Sequence, residues 1–462
     1  MLDYKSILES LKVISEVDVL VLGGGTAGTV AAISAAREKV KTLVVEQFGF
    51  LGGTQTAALV TPMMPNQIEQ EPLNRGIDWE INSRMMETGE SGRWPDGNMG
   101  WFNPEMLKIV LEQMVVEAGA DILYYTMFED SIMDGNDIRG VTVLNKGGRG
   151  TILARRVVDA TGDADVAFGA GAPFFSGDEK TFTNQPFSIR FSAGGVDLNR
   201  FISFLESLGR AEVTLDPQGS TTPLIHTAMV WGRNFPLEPV FRKAVEDGVL
   251  LETDGNYFQA FTVAGRHGEL FFNCPRITLQ VDGTNPSHLT RAQILGRQAI
   301  LRYLAFVRKY FPGCEHASIT SIAPMVGVRE SRRIDGEYFL TVDDILSAKK
   351  FQDAIARSNY PIDVHSSDDR SGMKLQHLPP GTYYEIPYRC IVPKKVENLL
   401  VPGRCLSASF EAQGSVRIQT NCRAMGEAAG LASSMSLERS ISPRQVNGSD
   451  LRQALRQKGA SL

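Results

Sequence analysis

The stretch VDVLVLGGGTAGTVAAISAA, Val17 to Ala36, constrains this chain more than any other. It is twenty residues long with one charge, Asp18, which by length alone is enough to span a bilayer. Three consecutive glycines interrupt it, and Arg37, Glu38 and Lys39 close it early, so a membrane span is not expected. Asp18–Leu22 reads instead as a buried parallel strand, rich in branched apolar residues. Thr29–Lys39 reads as an Ala-rich helix, and Lys41–Gln47 as a second strand. The result is a βαβ unit inside about thirty residues.

Between that first strand and the helix lies Gly23-x-Gly25-x-x-Gly28, with Thr26 and Ala27 inside it. The first glycine permits a tight turn, the second lets backbone approach a pyrophosphate, and the third lets helix and strand pack closely. Phosphates then meet N–H groups at the positive end of the helix. Glu46 ends the second strand, where a carboxylate accepts hydrogen bonds from ribose hydroxyls. Gln47 follows it, not an arginine, which disfavours a 2′-phosphate. The motif by itself does not separate one dinucleotide from another.

The rest of the chain is that of an ordinary globular enzyme-sized protein. It has 462 residues, 43% hydrophobic and 22% charged, with a formal net charge of -6 and no basic block. Nucleic-acid binding therefore lacks its electrostatic footprint. Five cysteines without a CxxC, and six scattered histidines, argue against a disulfide framework, a zinc ribbon or any metal centre. A reducing, cytoplasmic compartment fits, and the N-terminus lacks the pattern of a signal peptide.

Asn103–Gly119 has helical spacing, with Pro104 at its start and Gly119 at its stop. Strands separated by the turn signals DGND and KGGRG follow, a β-meander returning to the buried strand RRVVDATGD. Helices are expected near Leu198–Leu208, Pro239–Asp247 and Thr290–Tyr310, and again over NCRAMGEAAGLASSMS. No repeat or low-complexity linker appears.

Two later segments carry more information. VVDATGDADVAFGAGAP (Val157–Pro173) is a strand ending in Ala160-Thr161-Gly162, and Asn398–Gly430 is a strand, a glycine, a loop and a helix. With GFLGGTQT, GVRESRRIDGEY, YPIDVH and IPYR in order, they resemble the bacterial FAD-dependent oxidoreductases, distantly similar to soluble fumarate reductases. The resemblance covers nearly the whole chain. It implies an α/β fold: a Rossmann-like FAD-binding domain with a β-meander (residues 1–173 and 386–440), an inserted α+β substrate or capping domain (174–385) and a helical tail (441–462).

The same resemblance implies roles for matched positions. Ala160, Thr161 and Gly162 would line the pyrophosphate and ribose, and Phe128 the adenine. Gly52, Gly53 and Thr54 would lie along the flavin. Gly403 and Arg404 would meet the phosphates and ribityl chain, although many relatives have an acid where Arg404 stands. Val416 and Arg417 would sit by the flavin pyrimidine ring at a helix N-terminus, where positive potential stabilises negative charge. Phe410 replaces a histidine common in the group, which removes any acid–base role there. No histidine lies in residues 46–60, so the FAD is expected to be noncovalent.

The catalytic candidates are thinner. Arg329, Arg332 and Arg333 stand beside Glu330 and Asp335, and read either as a clamp on an anionic substrate or as a buried ion-pair network. His365, after Asp363, reads as a base for a hydroxyl proton or as a structural histidine. Tyr388 and Arg389, at the re-entry strand, are expected in the interdomain cleft. The expected activity is hydride transfer between flavin N5 and a small-molecule substrate, with electron partner and oligomeric state open. The rivals are a flavoprotein that modifies tRNA wobble uridines, disfavoured by the acidic balance and the short chain after the last motif, and an inactive FAD-bound scaffold.

Overall fold

A computed structural model describes residues 12–95, 97–209, 212–278, 281–365 and 373–462. The reading of the extreme N-terminus falls on residues 1–11, outside the described residues. Strand β1 (Val13–Leu22), helix α1 (Thr26–Arg37) and strand β2 (Thr42–Val45) form the anticipated unit. Helix α2 (Pro104–Ala118) begins at Asn103, whose side chain accepts from Glu105 N–H, and stops at Gly119 in the left-handed region. Strand β3 (Asp121–Leu123) follows, then β4 (Met127–Asp134), β5 (Asp137–Asn145) and β6 (Gly148–Asp159).

These strands make one sheet in the order β3-β2-β1-β6-β5-β4. β1 runs parallel to β2 and β6, while β4, β5 and β6 are antiparallel. The meander does not hand over to a separate buried strand. β6 is one twelve-residue strand whose first half pairs with β5, and whose Val157 and Val158 pair with Leu399–Leu400. Its outer edge is thus shared between the hairpin and the returning chain.

A second, six-stranded sheet is built from β7 (Phe191–Gly194), β8 (Glu212–Thr214), β9 (Leu224–Met229), β10 (Phe258–Phe261), β11 (Glu269–Phe272) and β12 (Ser318–Ile322). The order is β8-β9-β10-β11-β7-β12. Three helices accompany it: α3 (Leu198–Ser207), α4 (Glu238–Glu246) and α5 (Pro286–Tyr310), the last starting earlier than its apolar spacing suggests because Asn285 caps it and Pro286 opens it. The core of this unit draws on residues 187–326 alone. Leu340 through Tyr384, by contrast, pack into the core around α1.

The chain then supplies β13 (Ile362–His365), paired with β14 (Met373–Gln376), and helices α6 (Phe410–Val416), α7 (Gln419–Glu438) and α8 (Gly448–Gln457). α7 lies against α1 with almost no gap. A Cβ on Gly426 would fall 2.2 Å from Ala27 O, and one on Gly430 would fall 2.3 Å from Ala31 O. The Ala-rich face of α1 and the glycines of MGEAAG are therefore two halves of one close helix contact, which sets the middle of α7 against the first turns of α1. No helix among the described residues is long and apolar enough to cross a membrane.

Candidate active site

The last residues of β1, β2 and β6 (Leu22, Val45 and Asp159) stand in register. Gly23 N–H donates to Val45 O and Ala160 N–H to Leu22 O, both at 2.8 Å, so the turns after β1 and β6 leave the sheet side by side. Ligands of open α/β sheets bind beyond these carboxyl ends. Gly23 has φ +91°, and a Cβ there would meet Ala160 O at 2.5 Å. One on Gly28 would meet Gly23 O at 1.8 Å. Gly25 is different: a Cβ would meet nothing closer than 3.7 Å, so a side chain would fill the space before the start of α1. That helix begins at Thr26, with Ala27 buried behind it, and has no side-chain cap. An uncapped N-terminus with a bare approach is what a pyrophosphate requires.

Glu46 closes the cradle. Its carboxylate accepts from Gly24 N–H (2.8 Å) and Phe48 N–H (2.9 Å). Burial pushes its pKa above the ordinary carboxylate value, and those N–H donors partly offset the rise. Gln47 beside it is exposed. Gly52 N–H donates to Gly24 O at 2.8 Å, which ties the loop Gly52-Gly53-Thr54 to the first glycine turn. Gln55 donates to Gln419 Oε1 (2.6 Å), joining that loop to the start of α7.

On the other side, Thr161 Oγ1 donates to Asp159 Oδ1 at 2.7 Å, and burial lifts the Asp159 pKa to about 6. Arg404 Nε donates to Gly162 O (2.6 Å) and its Nη2 to Asp163 (2.9 Å). Gly403 faces Ala27, so both residues lie at the cradle. Phe128 is half-buried on β4 against Gly169. These residues fit FAD: they would hold its pyrophosphate on Gly23–Gly28 and Ala160–Gly162, and its ribose on Glu46.

Val416 ends α6, and Arg417 occupies the break before α7. β13 crosses here so closely that a Cβ on Gly414 would lie 2.6 Å from Asp363 O. His365 Nε2 lies 3.6 Å from Asp363 Oδ1. Tyr360 Oη donates to Asp363 Oδ2 (3.1 Å), and Arg417 Nη2 lies 3.9 Å from the same atom. Burial would raise the Asp363 pKa, but His365, Arg417 and Tyr360 hold it below the usual range. Burial, with Arg329 adding to it, pushes His365 down to about 3. Its imidazole is therefore neutral at pH 7, and its buried Nδ1 has no partner among the described residues.

Of the predicted clamp, only Arg329 reaches this seam. It is buried, donating to Pro186 O (2.6 Å) and Ser188 Oγ (2.9 Å). Arg332 points away, held by Asp165 (2.8 Å) and lying over the Phe168 ring. Arg333 pairs with Glu330 and Glu179, and Asp335 with Lys394. Tyr388 and Arg389 are also displaced from the expected cleft. Strand Tyr384–Pro387 pairs with Ala354–Ser358 in the core around α1, so the turn after it faces elsewhere. Tyr388 Oη donates to Pro443 O (2.8 Å), and Arg389 lies at the surface on Asp353 (2.9 Å).

Sequence reasoning missed Arg190, Tyr257 and Gln185. Arg190 is buried, donating to Leu59 O at 3.4 Å. Burial pushes its pKa down to about 10. Tyr257 sits edge-on to His365 with ring centroids 5.4 Å apart, its hydroxyl accepting from Asn273. Gln185 Oε1 accepts from His365 N–H (3.5 Å) and Arg417 (3.4 Å). A signal existed for Arg190: it is the one charge in Phe187–Phe191, whose alternate residues Phe187, Ile189 and Phe191 are apolar, and a charge beside such a core strand is costly without a purpose.

The chain matches the family described as FAD dependent oxidoreductase over residues 18–455. It belongs to that family, its cofactor is FAD, and it is an enzyme. It is 33% identical over 174 residues to a thiamine thiazole synthase of Methanococcus vannielii, a match covering 35% of this chain and 62% of that protein. It is 27% identical over 126 residues to digeranylgeranylglycerophospholipid reductase 3 of Methanosphaera stadtmanae, covering 27% and 30%. The chain thus spans less than two thirds of these curated relatives' length. Among solved structures it resembles a geranylgeranyl bacteriochlorophyll reductase-like protein of Thermoplasma acidophilum, with TM-score 0.48 and 13% identity over 96% of this chain and 84% of that one.

Proposed function

We propose that this enzyme oxidises or reduces a small organic substrate at the seam where β13 and the break between α6 and α7 meet the second sheet. When bound, FAD supplies the two-electron chemistry, exchanging a hydride with substrate carbon at N5. The chain's own part is positioning and proton handling. The observation that carries the reading is His365: buried, neutral, with a bare Nδ1, at the end of β13, a strand that lies against α6 through Asp363. In the oxidation direction, Nδ1 takes the proton of a substrate hydroxyl as the carbon–hydrogen bond breaks. Asp363, kept ionised by Arg417 and Tyr360, stabilises the imidazolium that forms.

The flavin is held without a covalent bond, the residues 187–326 cap the site, and the five buried free cysteines are consistent with a cytoplasmic setting. Acid precipitation should leave FAD in the supernatant. Anaerobic mixing with candidate substrates should bleach the oxidised flavin band, and His365→Gln should slow that bleaching by 100-fold or more, the low end of general-base catalysis. Flavin held in the pellet overturns the noncovalent claim. Unchanged bleaching in the variant overturns the role of His365.

A further inference from the structure

Among the described residues, the two most completely buried guanidiniums, Arg333 and Arg423, are paired with carboxylates. Arg333 is fully buried and meets Glu330 and Glu179. Arg423 is buried against Asp78 (2.9 Å), and Arg404 meets Asp163 (2.9 Å). Arg329 and Arg190 are buried too, yet their described partners are the neutral oxygens of Pro186, Ser188 and Leu59. Arg417 adds a third guanidinium, and one carboxylate, Asp363, serves it, His365 and Tyr360 together. Burial depresses the pKa of Arg329 to about 9, and neighbouring Arg417, Arg276 and Arg190 add to the fall, so these cations repel one another inside the protein. Unpaired buried cations are costly, and a fold that pairs them elsewhere keeps them here for an arriving anion.

We propose that Arg329 and Arg190 anchor the carboxylate of a small organic acid, which is the substrate. The inference rests on the reading of this seam as the substrate site. A guanidinium offers a planar fork that matches a carboxylate, and two of them give the acid both charge and orientation. The groups facing His365 are Arg329, Arg417, Asp363 and the Tyr257 ring. A carboxylate on Arg329 therefore also offsets the charge that adds to burial in keeping His365 unprotonated, so the acid strengthens its own base.

The FAD-loaded protein is titrated with acetate, glycolate, pyruvate, succinate and benzoate, with the amide of each, and with inorganic phosphate. The readouts are the flavin difference spectrum and the thermal midpoint. At least one acid is expected to saturate both, binding at least tenfold more tightly than its amide. This comparison uses the unaltered protein and does not depend on any variant folding. Arg329→Met and Arg190→Met should each weaken that acid by tenfold or more, Arg329→Lys should weaken it less, and Arg200→Met, an exposed partner of Glu315, should leave it unchanged. Equal binding of acids and amides, no response to any acid, or phosphate binding more tightly than every acid overturns the anchor. An acid that binds without bleaching the flavin leaves the anchor standing and removes the hydride reading. Bleaching by neutral compounds alone does the reverse.

Discussion

Replacing Glu46 by Gln tests the cofactor cradle with one atom exchanged. The carboxylate now serves two backbone donors, Gly24 and Phe48 N–H, at 2.8 and 2.9 Å. The glutamine amide offers a single oxygen, so one donor faces an NH2 group. A buried donor left unpaired costs about 1–3 kcal/mol. Burial already opposes the charge on Glu46, so removing the charge returns part of that cost, and the cofactor-free fold should survive. The ribose contacts weaken as well. Hydrogen bonds to a charged group contribute about 1.5–3 kcal/mol against about 1 for neutral pairs. A loss of about 1.4 kcal/mol is tenfold in affinity. FAD affinity, measured by titrating deflavinated protein and following quenching of flavin fluorescence, should fall at least tenfold, with circular dichroism unchanged. An unchanged affinity would mean that Glu46 does not touch the ribose, and the cradle assignment would lose its carboxylate.

His365 makes stability depend on pH. Its folded pKa, near 3, lies below the ordinary 6.5, so the unfolded chain takes up a proton that the folded one refuses, and stability falls as pH drops below about 6.5. From pH 7 to pH 5 that amounts to about 2 kcal/mol. Asp159, raised to about 6, and Glu427, raised to about 7, act in the opposite direction, so the test is the difference between the protein and His365→Gln in urea unfolding at both pH values. A difference that does not change with pH contradicts the buried neutral imidazole. Arg389→Ala should leave flavin bleaching unchanged and cost no more than about 1 kcal/mol, as exposed ion pairs do; a large loss of turnover would return Arg389 to the active site.

What the sequence made legible was what local spacing encodes. The strand, glycine turn and helix of Val13–Arg37 need only neighbours in the chain, and so does the cap-to-stop pattern of Asn103–Gly119. The MGEAAG glycines were visible as a motif, but their purpose, contact with the α1 backbone, depends on a partner some four hundred residues away. The arginine-rich GVRESRRIDGEY shows the limit most clearly. Alternation along Arg332–Ile334 turns successive side chains to opposite sides, so Arg332 goes to Asp165 and Arg333 to Glu330, while Arg329 precedes the strand and turns to the seam. Adjacency in sequence left one clamp or one buried ion-pair network open; the backbone made three destinations, with Arg333 in an ion-pair network and Arg332 paired separately. The arginine that joins Arg329 comes from before β7, and Tyr257 from before β10, and no spacing rule links those positions. The division of cores was equally hidden, because Leu340–Tyr384 reads as part of the inserted segment while packing with α1.

The central claim is that reaction takes place at the seam of Arg190, Arg329, Tyr257 and His365. A crystal structure of the FAD-loaded protein measures it directly, as the distance from flavin N5 to each of these side chains. The account predicts at least one of the four within about 10 Å, the reach of one side chain plus a small bound substrate. All four lying farther away would contradict it, and the seam would then be a charged cluster unrelated to the chemistry of the flavin.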